Sequence, residues 1–161
     1  MKVWATDIMP IRISNRSDGW AEGSDMVAGV LWAADHGADV VNISYDFGNG
    51  FAALNEAAQY LRNKGGLVVM SAGNNNTDYG FSDNPYIIHV SATTSTDAKA
   101  SFSNFGDFVD VSAPGKGVLT VWQNGGYAWG DGTSFSSPIA AGVIALVKAA
   151  NQGLSPVEVE A

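Results

Sequence analysis

Residues 40–71 read VVNISYDFGNGFAALNEAAQYLRNKGGLVVMS. Two short apolar runs, Val40-Val41-Asn42-Ile43-Ser44 and Leu67-Val68-Val69-Met70-Ser71, stand at its ends. Both are rich in β-branched residues and bounded by turn formers, the pattern of buried strands. Between them Leu54, Ala57, Ala58 and Leu61 recur at helical spacing and stop at Gly65-Gly66. Strands apolar on both faces that alternate with helices make a parallel sheet covered on each side and joined by right-handed crossovers. The pattern continues outward. Val27, Val30, Leu31 and Ala34 predict a helix from about Ser24 to His36, with Ser24 as N-cap and Gly37 as stop, and Ile87-Ile88-His89-Val90-Ser91 predicts a third buried strand. The predicted fold class is α/β, three-layered around a mostly parallel sheet.

Further on, Val109-Asp110-Val111 and Val118 to Trp122 read as strands, and Asn124-Gly125-Gly126 before Tyr127-Ala128-Trp129 reads as a hairpin. A last long helix is predicted from about Ser134 to Asn151, with Ile139, Ala140, Val143, Ile144 and Val147 on its apolar face. There is no internal repeat, low-complexity tract or linker, so the 161 residues are expected to form one packed unit.

Composition narrows the partners. With 46% apolar residues and no run of about 18 apolar positions, no membrane span is expected. Sixteen acidic against eight basic residues leave a net charge of -8, which repels nucleic acid and anionic membranes. The absence of cysteine excludes disulfides, thiolate metal sites and a cysteine nucleophile, so a metal would rest on oxygen ligands or the two histidines. Met1-Lys2-Val3-Trp4-Ala5 does not open a signal peptide.

In open α/β sheets chemistry gathers beyond the carboxyl ends of the strands, here Ser44-Tyr45-Asp46 and Gly73-Asn74-Asn75-Asn76. A third feature is Gly130-Asp131-Gly132-Thr133-Ser134-Phe135-Ser136-Ser137-Pro138, a glycine-rich turn that sets a serine at a helix start. Helix N-termini leave backbone N–H groups unpaired and carry partial positive charge, so an oxyanion formed beside Ser134 would be stabilised. Pro138 removes the N–H that would bond the Ser134 carbonyl and implies a distorted first turn. Taken alone, Ser134 also reads as an ordinary helix cap, and Asn74 as a turn asparagine.

Gly132-Thr133-Ser134-Phe135-Ser136-Ser137-Pro138-Ile139-Ala140-Ala141-Gly142 resembles the subtilase serine signature G-T-S-M-A-S-P-H-V-A-G. Ser71-Ala72-Gly73-Asn74 resembles the A-A-G-N turn of the same family, and Ala100 to Gly106 and Val111 to Gly115 resemble its A-S-F-S-N-x-G and A-P-G segments, in the same order. The resemblance covers nearly the whole chain. It implies the C-terminal part of a subtilisin-like serine protease domain that is secreted, needs no cofactor and acts on peptides or proteins. Ser134 would be the nucleophile and Asn74 the oxyanion donor, with Ser44, Tyr45, Asp46, Ala72 and Gly73 lining the substrate cleft.

Such a serine needs a histidine base and a carboxylate to orient it. The family's D-T-G and H-G-T-H motifs are not found here. The segment Ile8-Met9-Pro10-Ile11-Arg12-Ile13 resembles the strand that follows both, and Leu154 to Glu160 reads as the opening of a helix capped by Ser155 with Pro156 at its first turn, so both ends read as cut. His36 is expected to close a helix at the amino end of the sheet, and His89 to be a satisfied core histidine. Neither is expected to act as the base.

Asp110 resembles a family position that helps hold a structural calcium with carbonyls near Pro85 to Ile87, and a plain solvated aspartate accounts for it equally. Asp46 stands where the family has glycine, and a carboxylate there suits a basic side chain. Phe135 and Ile139 replace Met and His of the signature and are expected to repack their neighbours. A sheet lacking its early strands would expose apolar surface, which calls for an oligomer or a complementing chain. The alternative is a non-catalytic peptide-binding or assembly module on the same fold. A different serine hydrolase is disfavoured because no G-x-S-x-G elbow occurs.

Overall fold

The structure, a computed structural model, describes residues 6–122 and 125–161. Strands β1 (Val40–Ile43), β2 (Leu67–Ser71), β3 (Ile87–Thr93) and β4 (Val111–Pro114) form a parallel sheet in sequence order. Period-two alternation sorts its side chains between two cores. Val68, Met70 and Ile87 point to one face and pack with Met26 and Val30 of α1 (Gly23–Asp35) and Leu54 and Leu61 of α2 (Ala52–Asn63). Leu67, Val69, Ile88 and Val90 point to the other, against Ala140 and Ala141 of α3 (Thr133–Ala150). The fold is therefore α/β in three layers, as the strand and helix patterns predict.

Strands β5 (Val118–Val121) and β6 (Tyr127–Gly130) pair antiparallel as a separate ribbon, and α4 (Pro156–Glu160) follows α3. The expected hairpin turn passes through Asn124, which lies outside the described residues, as do Met1 to Ala5. By length and composition α3 is apolar enough to cross a membrane, yet it lies across the sheet, and its Lys148 donates to the Gly65 carbonyl at 2.7 Å.

Several local expectations are corrected. Glu22, not Ser24, holds the N-cap position of α1, and it caps without a side-chain bond; Ser24 is already inside the helix. The strand expected around Val109 to Val111 begins only at Val111. Ile8 to Ile13 pairs with no strand and instead runs over α1, where the Ile13 and Ile11 methyls crowd Gly29. Val40 and Val41 are only partly buried and Asn42 is exposed, whereas every residue of β2 is buried. β1 is thus the edge of the described sheet, which its apolar composition does not reveal. His89 is fully buried as expected, but neither ring nitrogen has a hydrogen-bond partner, and burial lowers its pKa so that the ring is held neutral.

Candidate active site

The loops after β1 and β2 and the start of α3 meet at the carboxyl end of the sheet. Gly132, the N-cap of α3, has φ 154° and ψ 153°, a backbone region open essentially to glycine alone. That turn brings Thr133 against the β2 loop. Thr133 is fully buried; its N–H and its hydroxyl donate to Asn74 Oδ1 at 2.8 and 3.0 Å, and its hydroxyl oxygen accepts from Gly73 N at 3.1 Å. Two donors on Oδ1 fix the amide orientation. The Nδ2 hydrogens of the exposed Asn74 are left on the open side.

Ser134 follows directly. Its Oγ donates to the Ser44 carbonyl at 3.3 Å, and the Ser44 hydroxyl donates back to the Ser134 carbonyl at 3.0 Å. The second bond serves the carbonyl that Pro138 deprives of its helical partner. Ser44 is held in turn: Asn42 Nδ2 donates to Ser44 Oγ at 3.0 Å, and Asn42 Oδ1 accepts from Ser137 Oγ at 2.6 Å. Two serines of α3 are thereby tied through one asparagine to the end of β1.

Ser71 Oγ donates to the Tyr45 carbonyl at 2.9 Å and so joins the β1 and β2 loops. Gly73 has φ 101°, and a Cβ there would collide with Asn104 Nδ2 and Asp46 Oδ2, so this position requires glycine twice over. Asn104, fully buried, accepts from Asn75 N at 2.9 Å and Thr77 N at 3.1 Å and donates to the Ala72 carbonyl at 2.8 Å. Ser44, Tyr45, Asp46, Ala72, Gly73, Asn74 and Ser134 are therefore gathered in one place. Asn104, Thr133, Asn42 and Ser137 are the supports that reading for catalytic residue types passes over. Part of their signal lies in the motifs themselves, since Thr133 stands beside Ser134 in the serine signature and Asn104 lies within the segment Ala100 to Gly106.

Asp110 lies elsewhere, at the amino end of β4, the opposite end of the sheet. Its Oδ2 accepts from His89 N at 2.7 Å. Partial desolvation and the charge of Asp83 raise its carboxyl pKa to about 6, while the residue as a whole remains exposed. Among the described residues no group of three His, Asp or Glu side chains gathers as a metal cluster.

Neither histidine meets the serine. His36 stacks on Trp32 at 3.8 Å between ring centroids, with Nδ1 2.7 Å from the Trp32 carbonyl, and the His89 ring packs edge-on against Phe108. Of Phe135 and Ile139, which replace Met and His of the signature, the Phe135 ring lies over Gly130 as an inward-packing residue would, but Ile139 is exposed rather than repacked.

Comparison with known proteins agrees with this architecture. A thermophilic serine proteinase of Bacillus sp. (strain AK1) is 38% identical over 156 residues, covering 96% of this chain and 38% of that protein. An extracellular protease of Xanthomonas campestris is 34% identical over 179 residues, covering 98% of this chain and 30% of its own length. The crystal structure of a cold-adapted subtilisin-like serine proteinase superposes with a TM-score of 0.77 at 35% identity, covering 88% of this chain and 54% of that one. The chain thus spans about a third of those two curated relatives. Residues 3–161 match the profile of the subtilase family, and the chain belongs to that family.

Proposed function

We propose that this chain supplies the nucleophile and the oxyanion site of a serine endopeptidase, with the aspartate and histidine contributed by a segment outside it. The observation that supports the reading is the pinning of Asn74 Oδ1 by the N–H and hydroxyl of Thr133, the residue immediately before Ser134, which leaves the amide hydrogens of the exposed Asn74 without a partner among the described residues. In the proposed reaction Ser134 Oγ attacks the peptide carbonyl and its proton passes to the supplied histidine. The carbonyl oxygen, now negative, takes hydrogen bonds from Asn74 Nδ2 and Ser134 N, each such donor contributing about 3 kcal/mol in the transition state. The histidine then gives the proton to the leaving amine, and water hydrolyses the acyl-serine. Ser44, Tyr45 and Asp46 would form one wall of the cleft, Ala72 and Gly73 the other. The substrate is a peptide or protein, and the extracellular setting that the name of the Xanthomonas protease gives is the one we assign to this chain.

A polypeptide bearing the missing aspartate and histidine motifs, such as the N-terminal half of a close relative, is mixed with this chain. The mixture is expected to cleave peptides and to be labelled by an active-site phosphonate, both lost in Ser134→Ala. Peptide binding without turnover, unchanged by Ser134→Ala, would instead favour the binding-module reading.

A structural cation at Asp110 belongs to the same proposal. A carboxyl pushed up to about 6 by partial desolvation and by Asp83 suits a hard cation, which would use both carboxylates with carbonyls near Pro85 to Ile87. Calcium should raise the unfolding temperature of the wild type and not of Asp110→Asn; equal shifts in both would remove it.

A further inference from the structure

Asp46 is a charged group held in place without a counter-charge. Its Oδ1 accepts from Gly48 N at 2.9 Å and its Oδ2 from Tyr79 OH at 3.0 Å, and Tyr79 OH accepts from Asn75 Nδ2 at 3.3 Å. None of the ion pairs among the described residues involves it. Every group that fixes the carboxylate is neutral, and an ionised carboxylate offers about four acceptor sites, of which two are used. The side chain is neither fully buried nor fully exposed, and Oδ2 fills the space that a side chain on Gly73 would need, immediately before Asn74. The charge is therefore fixed inside the wall of the cleft.

Ser44, whose carbonyl takes the Ser134 hydroxyl, is two residues upstream of Asp46. Two residues span at most about 7 Å of chain, the reach of a long side chain from an acyl group seated at Ser134. An apolar side chain laid over Asp46 would take water from an unpaired carboxylate, which is costly; a guanidinium or ammonium would replace that water with charge-assisted hydrogen bonds. An acidic side chain would meet like charge. We propose that Asp46 makes this cleft select peptides with arginine or lysine on the acyl side of the scissile bond, an inference that rests on the reading of Ser134 and Asn74 given above.

The test uses the complemented protein and peptides that differ only at that residue: arginine, lysine, leucine or glutamate. The expected kcat/KM for arginine exceeds that for leucine by about tenfold or more. In Asp46→Asn, which keeps an acceptor for Gly48 N, the arginine-to-leucine ratio should fall about tenfold, and in Asp46→Lys the order should turn toward glutamate. A wild-type ratio near one, or a ratio that survives Asp46→Asn, overturns the inference while leaving the peptidase reading intact. If the mixture cleaves nothing, the peptidase reading fails and binding decides the inference. Calorimetry would then compare peptides ending in arginine and leucine on the 161-residue chain. Tighter arginine binding that weakens with salt and with Asp46→Asn supports it; equal binding overturns it.

Discussion

Ser136 is fully buried, and its hydroxyl finds no hydrogen-bond partner. It stands where the family signature has alanine, and its Oγ occupies the space a side chain on Gly115 would need. Burying a hydroxyl without a partner costs about 1 to 3 kcal/mol, and alanine removes that cost without opening a cavity larger than one oxygen. Ser136→Ala should therefore raise stability by about 1 kcal/mol in urea titration with an unchanged slope; a loss of stability would mean that the hydroxyl has a partner after all. At this scale the candidate site was half legible. Ser134 and Asn74 follow from residue types at recognisable spacings, but the bonds that orient them run through Thr133, Asn104 and Asn42, and spacing alone carries no information on which way an amide points.

At the scale of the element, α3 is governed by what happens at its first turn. Pro138 frees the Ser134 carbonyl, and Ser44 Oγ satisfies it across the gap between β1 and α3. Asn42 and Ser137 complete the connection. Ser44→Ala leaves a partly buried carbonyl unpaired and should cost about 1 to 2 kcal/mol of stability. Because the same bond sets the pitch of the nucleophile's turn, kcat of the complemented enzyme should fall more than KM changes, and Ser44→Thr, which restores the hydroxyl, should recover it. Equal losses for Ala and Thr would assign the residue to packing alone. The fold itself was more legible than this linkage. β2 and β3 were written as continuous apolar runs bounded by turn formers and α2 in a period of about 3.6, and burial of the strands on both faces leaves little ambiguity. The cap of α1 and the path of Ile8 to Ile13 were not, because capping depends on loop geometry, and an apolar run does not say whether it will pair with an open edge or, as here, pack its side chains on a helix.

For the whole molecule the decisive feature is the outer edge of β1. Along it runs a groove of about 1180 Å³, walled by Val30 and Ala33 of α1 and by Ala141 and Ala145 of α3, with Val41 and Ile43 at its base, the segment Thr6 to Ile11 lining it as well and Asp39 and Lys148 adding charge. Those walls belong to the two helical layers that bury β2 and β3 on both faces, so a strand laid in the groove would be buried in the same way. Among the described residues no strand does so. An unpaired edge flanked by apolar walls is a template for another chain. Alone, the protein should therefore show concentration-dependent association in sedimentation velocity, and an equimolar polypeptide carrying the aspartate and histidine motifs should convert it to a one-to-one complex. Val41→Lys, which sets a charge on that partly buried edge, should suppress both the self-association and the complex; because Val41 packs against the core beside α1 and α2, urea titration of the variant separates this from its loss of stability. A chain that stays monomeric at every concentration and takes up no complement would show that the edge is closed in solution, and the proposed source of the catalytic base would fall with it.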